Sequence, residues 1–158
     1  MKNLIEIPLG LPGRVFRSPL PFGRYDIELS AFGEMSQLDI KTIVMLISTA
    51  EACEKSGRDL LLLYSEAGFN LIQMPITDFS VPDITKLSET VDQVHTLISA
   101  GNSVAVHCNA GWGRTGMFLA CLAKKVLRLK GAEAIAYVRK FVPEAVETAE
   151  QEHMVELF

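Results

Sequence analysis

Residues 103–116 read Ser103-Val104-Ala105-Val106-His107-Cys108-Asn109-Ala110-Gly111-Trp112-Gly113-Arg114-Thr115-Gly116. The run 103–106 is short, apolar and β-rich, which predicts a buried strand. Gly111 and Gly113 allow a tight loop whose backbone amides turn inward. From Thr115 on, Met117, Leu119, Ala120, Leu122, Ala123, Val126 and Leu127 recur at three- and four-residue spacing, the pattern of an amphipathic helix.

Such a loop forms an oxyanion cradle. Successive N–H groups make a nest, and the free amides and dipole of the following helix favour negative charge there. The same field favours the thiolate form of Cys108. Arg114 closes the loop with a planar fork that can hold two oxygens of one phosphoryl group, which a lysine cannot do in that geometry. A bare Cys-x5-Arg is also compatible with a structural cysteine before a helix-capping turn. His107 before it, two glycines within it and Thr115-Gly116 after it favour chemistry.

His107-Cys108-x5-Arg114-Thr115-Gly116 resembles the signature of the cysteine-dependent protein tyrosine phosphatases, in particular their small dual-specificity-like and kinase-associated-phosphatase-like branch. The resemblance covers about residues 14–156, with its specific motifs in 75–83, 107–116 and 146–151. It implies that residues 1–158 form a single dual-specificity-type phosphatase domain.

Length and composition agree with one globular unit. The 158 residues can bury about two-thirds of their unfolded surface. The chain is 49% hydrophobic and 22% charged, with no biased tract. A net charge of −4 does not suggest a nucleic-acid or anionic-membrane partner, although a local basic pocket remains compatible with it. The first eight residues lack the apolar core of a signal peptide. No apolar run approaches the ~18 residues that suggest a membrane span. Cys53, Cys108 and Cys121 have neither zinc-ligand nor redox-pair spacing, and this usage fits a reducing cytoplasm.

Taken in order, residues 4–18 predict two short strands joined by Pro8-Leu9-Gly10-Leu11-Pro12-Gly13. Residues 26–35 predict a helix capped by Asp26, 41–47 a buried strand, and 56–67 a helix ending at Gly68. Residues 69–74 predict a strand, and 84–100 a long helix capped by Asp83. Residues 132–141 predict another amphipathic helix beyond the one that follows the loop. Strands separated by helices argue an α/β fold with a central, mostly parallel sheet of about five strands, flanked by helices on both faces. Ligands of such sheets bind beyond the carboxyl ends of the strands, where the cysteine loop sits.

Phosphoryl transfer to a thiolate needs an acid for the departing oxygen. Asp78 follows a strand end in a proline-bracketed loop about 30 residues before Cys108. Crossover geometry places both loops on one sheet edge. Asp83 is the second candidate, but helix capping accounts for it. The resemblance adds weight to Asp78, because Pro75-Ile76-Thr77-Asp78 is similar to the family's general-acid loop. It also implies that Gln151, in Val146-x-Thr148-x-x-Gln151, lies near the pocket and orients the hydrolytic water; an exposed helix residue is the alternative. Arg17, in Arg17-Ser18-Pro19, is either near the pocket or a surface arginine on a strand end. Where relatives often carry Arg-Pro-Gly, this chain has Val142-Pro143-Glu144, so a second pocket arginine is missing unless Arg139 serves.

The resulting expectation is a metal-free, cofactor-free, two-step reaction. Cys108 attacks phosphorus, the cradle of Asn109, Ala110, Gly111, Trp112, Gly113 and Arg114 holds the equatorial oxygens, and Asp78 acts as acid and then base. Thr115 donates to the sulfur, and His107 orders the loop. Trp112 either lines the pocket rim or packs as core. The substrate class is a phosphorylated protein or peptide: phosphotyrosine, with phosphoserine and phosphothreonine also admitted by the shallow pocket of a short chain. No lysine occupies 109, 110 or 112, which weakens a lipid-phosphate reading. A phosphatase of soluble inositol phosphates, a phosphate-ester binding module without turnover and a rhodanese-type sulfur transferase are the alternatives.

Overall fold

The computed structural model describes residues 2–158. Five strands, β1 (Ile5–Glu6), β2 (Val15–Ser18), β3 (Thr42–Met45), β4 (Asn70–Gln73) and β5 (Val104–His107), form one sheet in the order β1-β2-β5-β3-β4. Only β1 runs antiparallel, as a hairpin partner of β2. The remaining pairs are parallel, with Ser18 and Met45 both level with His107 and Gln73 level with Met45. The carboxyl ends of β2, β5, β3 and β4 therefore lie in one row, with the cysteine strand inside it.

Alternation along these strands feeds two cores. Val15, Val44, Val104 and Val106 face one apolar cluster, built with α4 (Ile84–Ser99), α5 (Gly113–Leu127), α6 (Gly131–Arg139) and α7 (Ala149–Leu157). Phe16, Ile43, Met45 and Ala105 face the other, with α1 (Ala31–Gln37), α2 (Thr49–Ser56) and α3 (Leu60–Glu66). Sheet and helices thus match the expected layers. Among the described residues no helix is long and apolar enough to cross a membrane.

Three helices differ from expectation. Instead of one helix over 26–35, a 3-10 turn (Ile27–Leu29) containing Glu28 at φ 56° precedes α1. Asp26 receives the Ala31 amide at 2.9 Å and the Phe22 amide at 2.8 Å, so it braces the turn as a whole. The helix expected over 56–67 is α3, which starts only at Leu60 behind Asp59, the acceptor of the Leu62 amide; before it α2, which was not expected, ends at Ser56 with Gly57 in the left-handed region. Helix α2 is short and buries only Ala52, so it has no apolar stripe to read. Its signal was instead Ser48-x-x-Glu51, and Ser48 does accept the Glu51 amide at 3.1 Å. The helix after the loop begins at Gly113, two residues earlier than the apolar spacing indicated. Asp83 caps α4 as anticipated, accepting from the Thr85 and Lys86 amides.

Candidate active site

The loop after β5 is held from outside by its carbonyls. The Cys108 carbonyl lies 3.1 Å from His107 Nδ1, the Asn109 carbonyl accepts from the Leu20 amide at 2.8 Å, and Arg17 donates to Ala110 O at 2.6 Å and to Gly111 O at 3.1 Å. Trp112 O accepts from the Gly116 amide at 2.7 Å and the Val146 amide at 3.3 Å. In a trans peptide the carbonyl and the next amide point opposite ways. The carbonyls of 108–111 pinned outward therefore leave the amides of 109–112 turned inward, which is the nest that an anion needs, while the Gly113 amide faces the Glu147 carboxylate.

Two glycines do different jobs here. Gly111 adopts φ +79°, and a Cβ on it would fall 2.5 Å from Ser18 O and 2.6 Å from Arg17 Nε. Gly113 has ordinary helical backbone but no room, because a Cβ there would collide with Glu147 Oε2.

Arg17 is only 8% exposed and spends a third N–H on Asn3 O at 3.0 Å. It lies beneath the loop, near the pocket and not on the surface, and fixes the backbone instead of facing the cradle. Burial lowers its pKa, opposed by the nearby Cys108 and Glu144. Arg139 binds Ala145 O and Val146 O, each at 2.9 Å, and so pins the segment before α7 without reaching the loop.

His107 is fully buried between the Cys108 carbonyl and Tyr64 Oη, 2.9 Å from its Nε2. Since a carbonyl only accepts, Nδ1 carries the proton and Tyr64 donates to Nε2. Burial, helped by the Arg114 charge, holds the imidazole pKa down at about 4, so His107 is neutral at physiological pH. Its contribution to the loop is a hydrogen bond and not a charge. Burial also raises the Tyr64 hydroxyl pKa, keeping it a donor.

Arg114, 1% exposed, is gripped by Glu51 through both terminal nitrogens, at 3.1 and 3.2 Å, and also donates to Ile76 O at 2.9 Å. Its Nη2 lies 3.1 Å from Asp78 Oδ1. Burial opposes its charge, but Glu51, Cys108 and Asp78 outweigh burial and raise its pKa. Glu51 titrates low because Arg114 and Lys55 outweigh its own burial. Among the described residues, Arg114 Nε and Thr115 Oγ1 are buried side-chain atoms without hydrogen-bond partners. The Thr115 hydroxyl is therefore not bonded to the Cys108 sulfur here. Buried donors left open beside a thiol and inward amides are what an anion-binding cradle presents.

The Asp78 loop emerges from β4 onto the same sheet edge. Asp78 also accepts its neighbour Phe79's amide at 3.0 Å and approaches Lys55 Nζ at 4.0 Å. Gln151 is fully buried, not an exposed helix residue. Its Oε1 accepts from the Glu147 and Thr148 amides at 2.9 and 3.3 Å, and its Nε2 reaches Ser80 O at 3.4 Å, which ties α7 to the Asp78 loop. Trp112 is half-buried, packed on the core and edge-to-face with Tyr25, ring centroids 5.2 Å apart. Cys121 is core, its thiol pushed up to about 12 by burial, while Cys53 is exposed.

Three site residues escaped the sequence reading. Tyr64 looked like one apolar helix position among several. Glu51 lies in a stretch to which the sequence pattern assigns no element, and its one local cue is its spacing three residues after Ser48. Glu147 lies between Asp78 and the start of α5, and burial together with Asp78 raises its pKa.

Residues 23–126 match the family described as polymorphic toxin system, DSP-PTPase phosphatase. Kinase associated phosphatase superposes with a TM-score of 0.85 at 20% identity, over 96% of this chain and 90% of that one. The active form of Tk-PTP superposes with a TM-score of 0.78 at 26% identity, over 96% and 94%. A protein tyrosine phosphatase domain-containing protein 1 of Mus musculus is 34% identical over 120 residues, 71% of this chain and 16% of that protein. Dual specificity protein phosphatase CDC14C of Homo sapiens is 35% identical over 92 residues, 58% and 20% respectively. The chain spans a fifth or less of the length of these two curated relatives. With the fold, the cysteine loop and the family match together, the chain belongs to the DSP-PTPase phosphatase family, within the dual-specificity-like protein tyrosine phosphatases.

Proposed function

We propose that this chain hydrolyses phosphomonoesters without a metal, acting on phosphotyrosine, and also on phosphoserine and phosphothreonine, in proteins through a phosphocysteine intermediate. The observation that carries this reading is the open, buried Arg114 Nε beside Cys108 and the inward amides. In the first step the Cys108 sulfur bonds to phosphorus as the bond from phosphorus to the ester oxygen breaks, and Asp78 gives that oxygen its proton. In the second, water attacks the phosphocysteine, its proton passes to Asp78, and the phosphorus–sulfur bond breaks to release inorganic phosphate.

The inward amides and Arg114 stabilise the equatorial oxygens in both transition states. Thr115, whose hydroxyl is uncommitted, donates to the departing sulfur. Gln151 keeps one Nε2 hydrogen free of Ser80 to orient the water. Arg17 and His107 support the loop. The positive field of the cradle replaces what a metal ion supplies in other phosphatases, which is why the reaction needs none.

Hydrolysis of para-nitrophenyl phosphate in the presence of chelator, wild type beside Cys108→Ser, tests this. Metal-free turnover with a phosphocysteine burst, lost in the variant while vanadate still binds, is the expected result. Binding without turnover in the wild type would instead leave a phosphate-ester binding module.

A further inference from the structure

Beside the cradle, Arg24, Tyr25, Lys55 and Asn109 line a cavity of 260 Å³. Its walls are fixed to the cysteine loop. Asn109 directly follows Cys108 and is tied by its carbonyl to the Leu20 amide, and Tyr25 packs on Trp112 of the same loop. Lys55 stands one turn beyond Glu51 on α2, 2.9 Å from its carboxylate.

None of the four lining residues is acidic. Arg24 has no ion-pair partner among the described residues, and its guanidinium lies over the Tyr25 ring, 5.8 Å from the centroid. Lys55 is partly neutralised, but the carboxylates that face it, Glu51 and Asp78, are both shared with Arg114. A chain with net charge −4 has therefore set two cations, Arg24 and Lys55, in one cavity beside its cradle. Concave shape, an unpaired guanidinium and rigid attachment to the loop are what a subsite for a second anion requires.

We propose that this cavity binds a second anionic group, a phosphoryl or a carboxylate, on the same peptide that presents its phosphorylated side chain to Cys108. The proposal rests on the phosphatase reading above. The Tyr25–Trp112 pair joins the cavity to the loop with an apolar aromatic surface, which suits a peptide side-chain stem better than a polyol. Since the cations are largely exposed, the gain is modest and sensitive to salt.

Three peptides of one sequence test it: phosphotyrosine with neutral neighbours, with a neighbouring phosphothreonine, and with glutamate at that neighbour. The wild type should favour both anionic peptides by about fivefold in kcat/KM, mostly through KM, at low ionic strength. Arg24→Ala should erase the preference and leave para-nitrophenyl phosphate hydrolysis unchanged, and Arg24→Lys should restore part of it. If only the phosphothreonine peptide gains, the subsite is specific for phosphoryl groups; if both gain, for anions in general.

Equal hydrolysis of all three peptides, or a preference that survives Arg24→Ala, overturns the proposal while leaving the phosphatase reading intact. So does an equal loss on para-nitrophenyl phosphate, which would place Arg24 in the cradle's support. An Arg24-dependent affinity for an inositol polyphosphate, with none for either anionic peptide, overturns the peptide as occupant. Hydrolysis of no ester at all would fell the phosphatase reading first and the subsite with it.

Discussion

Glu51 and Arg114 meet along two parallel edges, Nη1 at 3.1 Å from Oε2 and Nη2 at 3.2 Å from Oε1. This contact uses both terminal nitrogens and fixes the guanidinium plane, so that Nε is the donor left for a ligand. The pair joins the helix after β3 to the helix after β5, 63 residues away in sequence. Glu51→Gln keeps the shape but loses the charge. Its kcat/KM on phosphate esters should fall about 10- to 100-fold, the usual cost of a misplaced catalytic group. Arg114→Lys, which cannot make two parallel bonds, should lose ~3 kcal/mol of transition-state stabilisation. Steady-state kinetics on both variants decide the matter. Wild-type kcat/KM in Glu51→Gln would reduce the pair to a stability contact.

Asp78 is the proposed acid, and its role separates substrates by leaving group. In Asp78→Asn, esters of poor leaving groups such as alkyl phosphates should slow by about 100-fold or more. Esters of good leaving groups should slow far less, because their oxygen departs without a proton. A leaving-group series read as kcat/KM makes the check, and uniform slowing would assign the acid elsewhere, with Glu147 the next carboxylate to test.

Arg17 is a scaffold by its contacts, and removing it should separate binding from chemistry less cleanly than removing Cys108. Arg17→Ala orphans the carbonyls of Ala110, Gly111 and Asn3 together. About 3 kcal/mol of stability should be lost. Vanadate affinity should also fall, because the loop amides are then no longer held inward. Denaturant titration and calorimetric vanadate binding measure the two effects. Lost stability with unchanged affinity would show that the loop holds its shape without Arg17.

His107 makes stability depend on pH in a defined window. Its folded pKa, about 4, lies below the ordinary value of 6.5, so the unfolded chain takes up the proton first as pH falls. The contribution is complete above pH 6.5 and shrinks by about 1.4 kcal/mol per unit below that, until the folded form protonates too. Glu34 and Glu51, both held below the usual carboxylate range, lose their contributions only from about pH 4.5 downward. Thermal unfolding followed from pH 7 to 4.5 should therefore show a falling Tm in the wild type. His107→Gln should be flatter across the same range. Parallel slopes in the two proteins would contradict a neutral buried imidazole.

Local pattern was enough to read most of the architecture. The apolar, β-branched runs at 104–106 and 42–45 became central parallel strands because residues of that kind are favoured where a strand is covered on both faces. Asp83 became a cap because a carboxylate before a helical stripe has free amides directly in front of it. The segments misread were those without a stripe. Helix α2 buries a single alanine, and the turn at 27–29 follows from Asp26 accepting two amides at once, a preference that no periodicity records.

By itself the sequence determined the parts of the site that are contiguous: Cys108, the loop that follows it, and Arg114 at its end. It also determined that Asp78 would reach the same edge, because parallel strands joined by helices bring their carboxyl ends together. Only the tertiary structure decided what holds those parts in place. Arg17 grips the loop's carbonyls, Tyr64 donates to Nε2 of His107, Glu51 fixes the plane of Arg114, and Gln151 anchors the Asp78 loop. Each of these is a contact between distant segments whose residue types are unremarkable where they stand. Such partners are selected by shape and by the need to satisfy buried polar groups, and both come into existence only when the chain has packed.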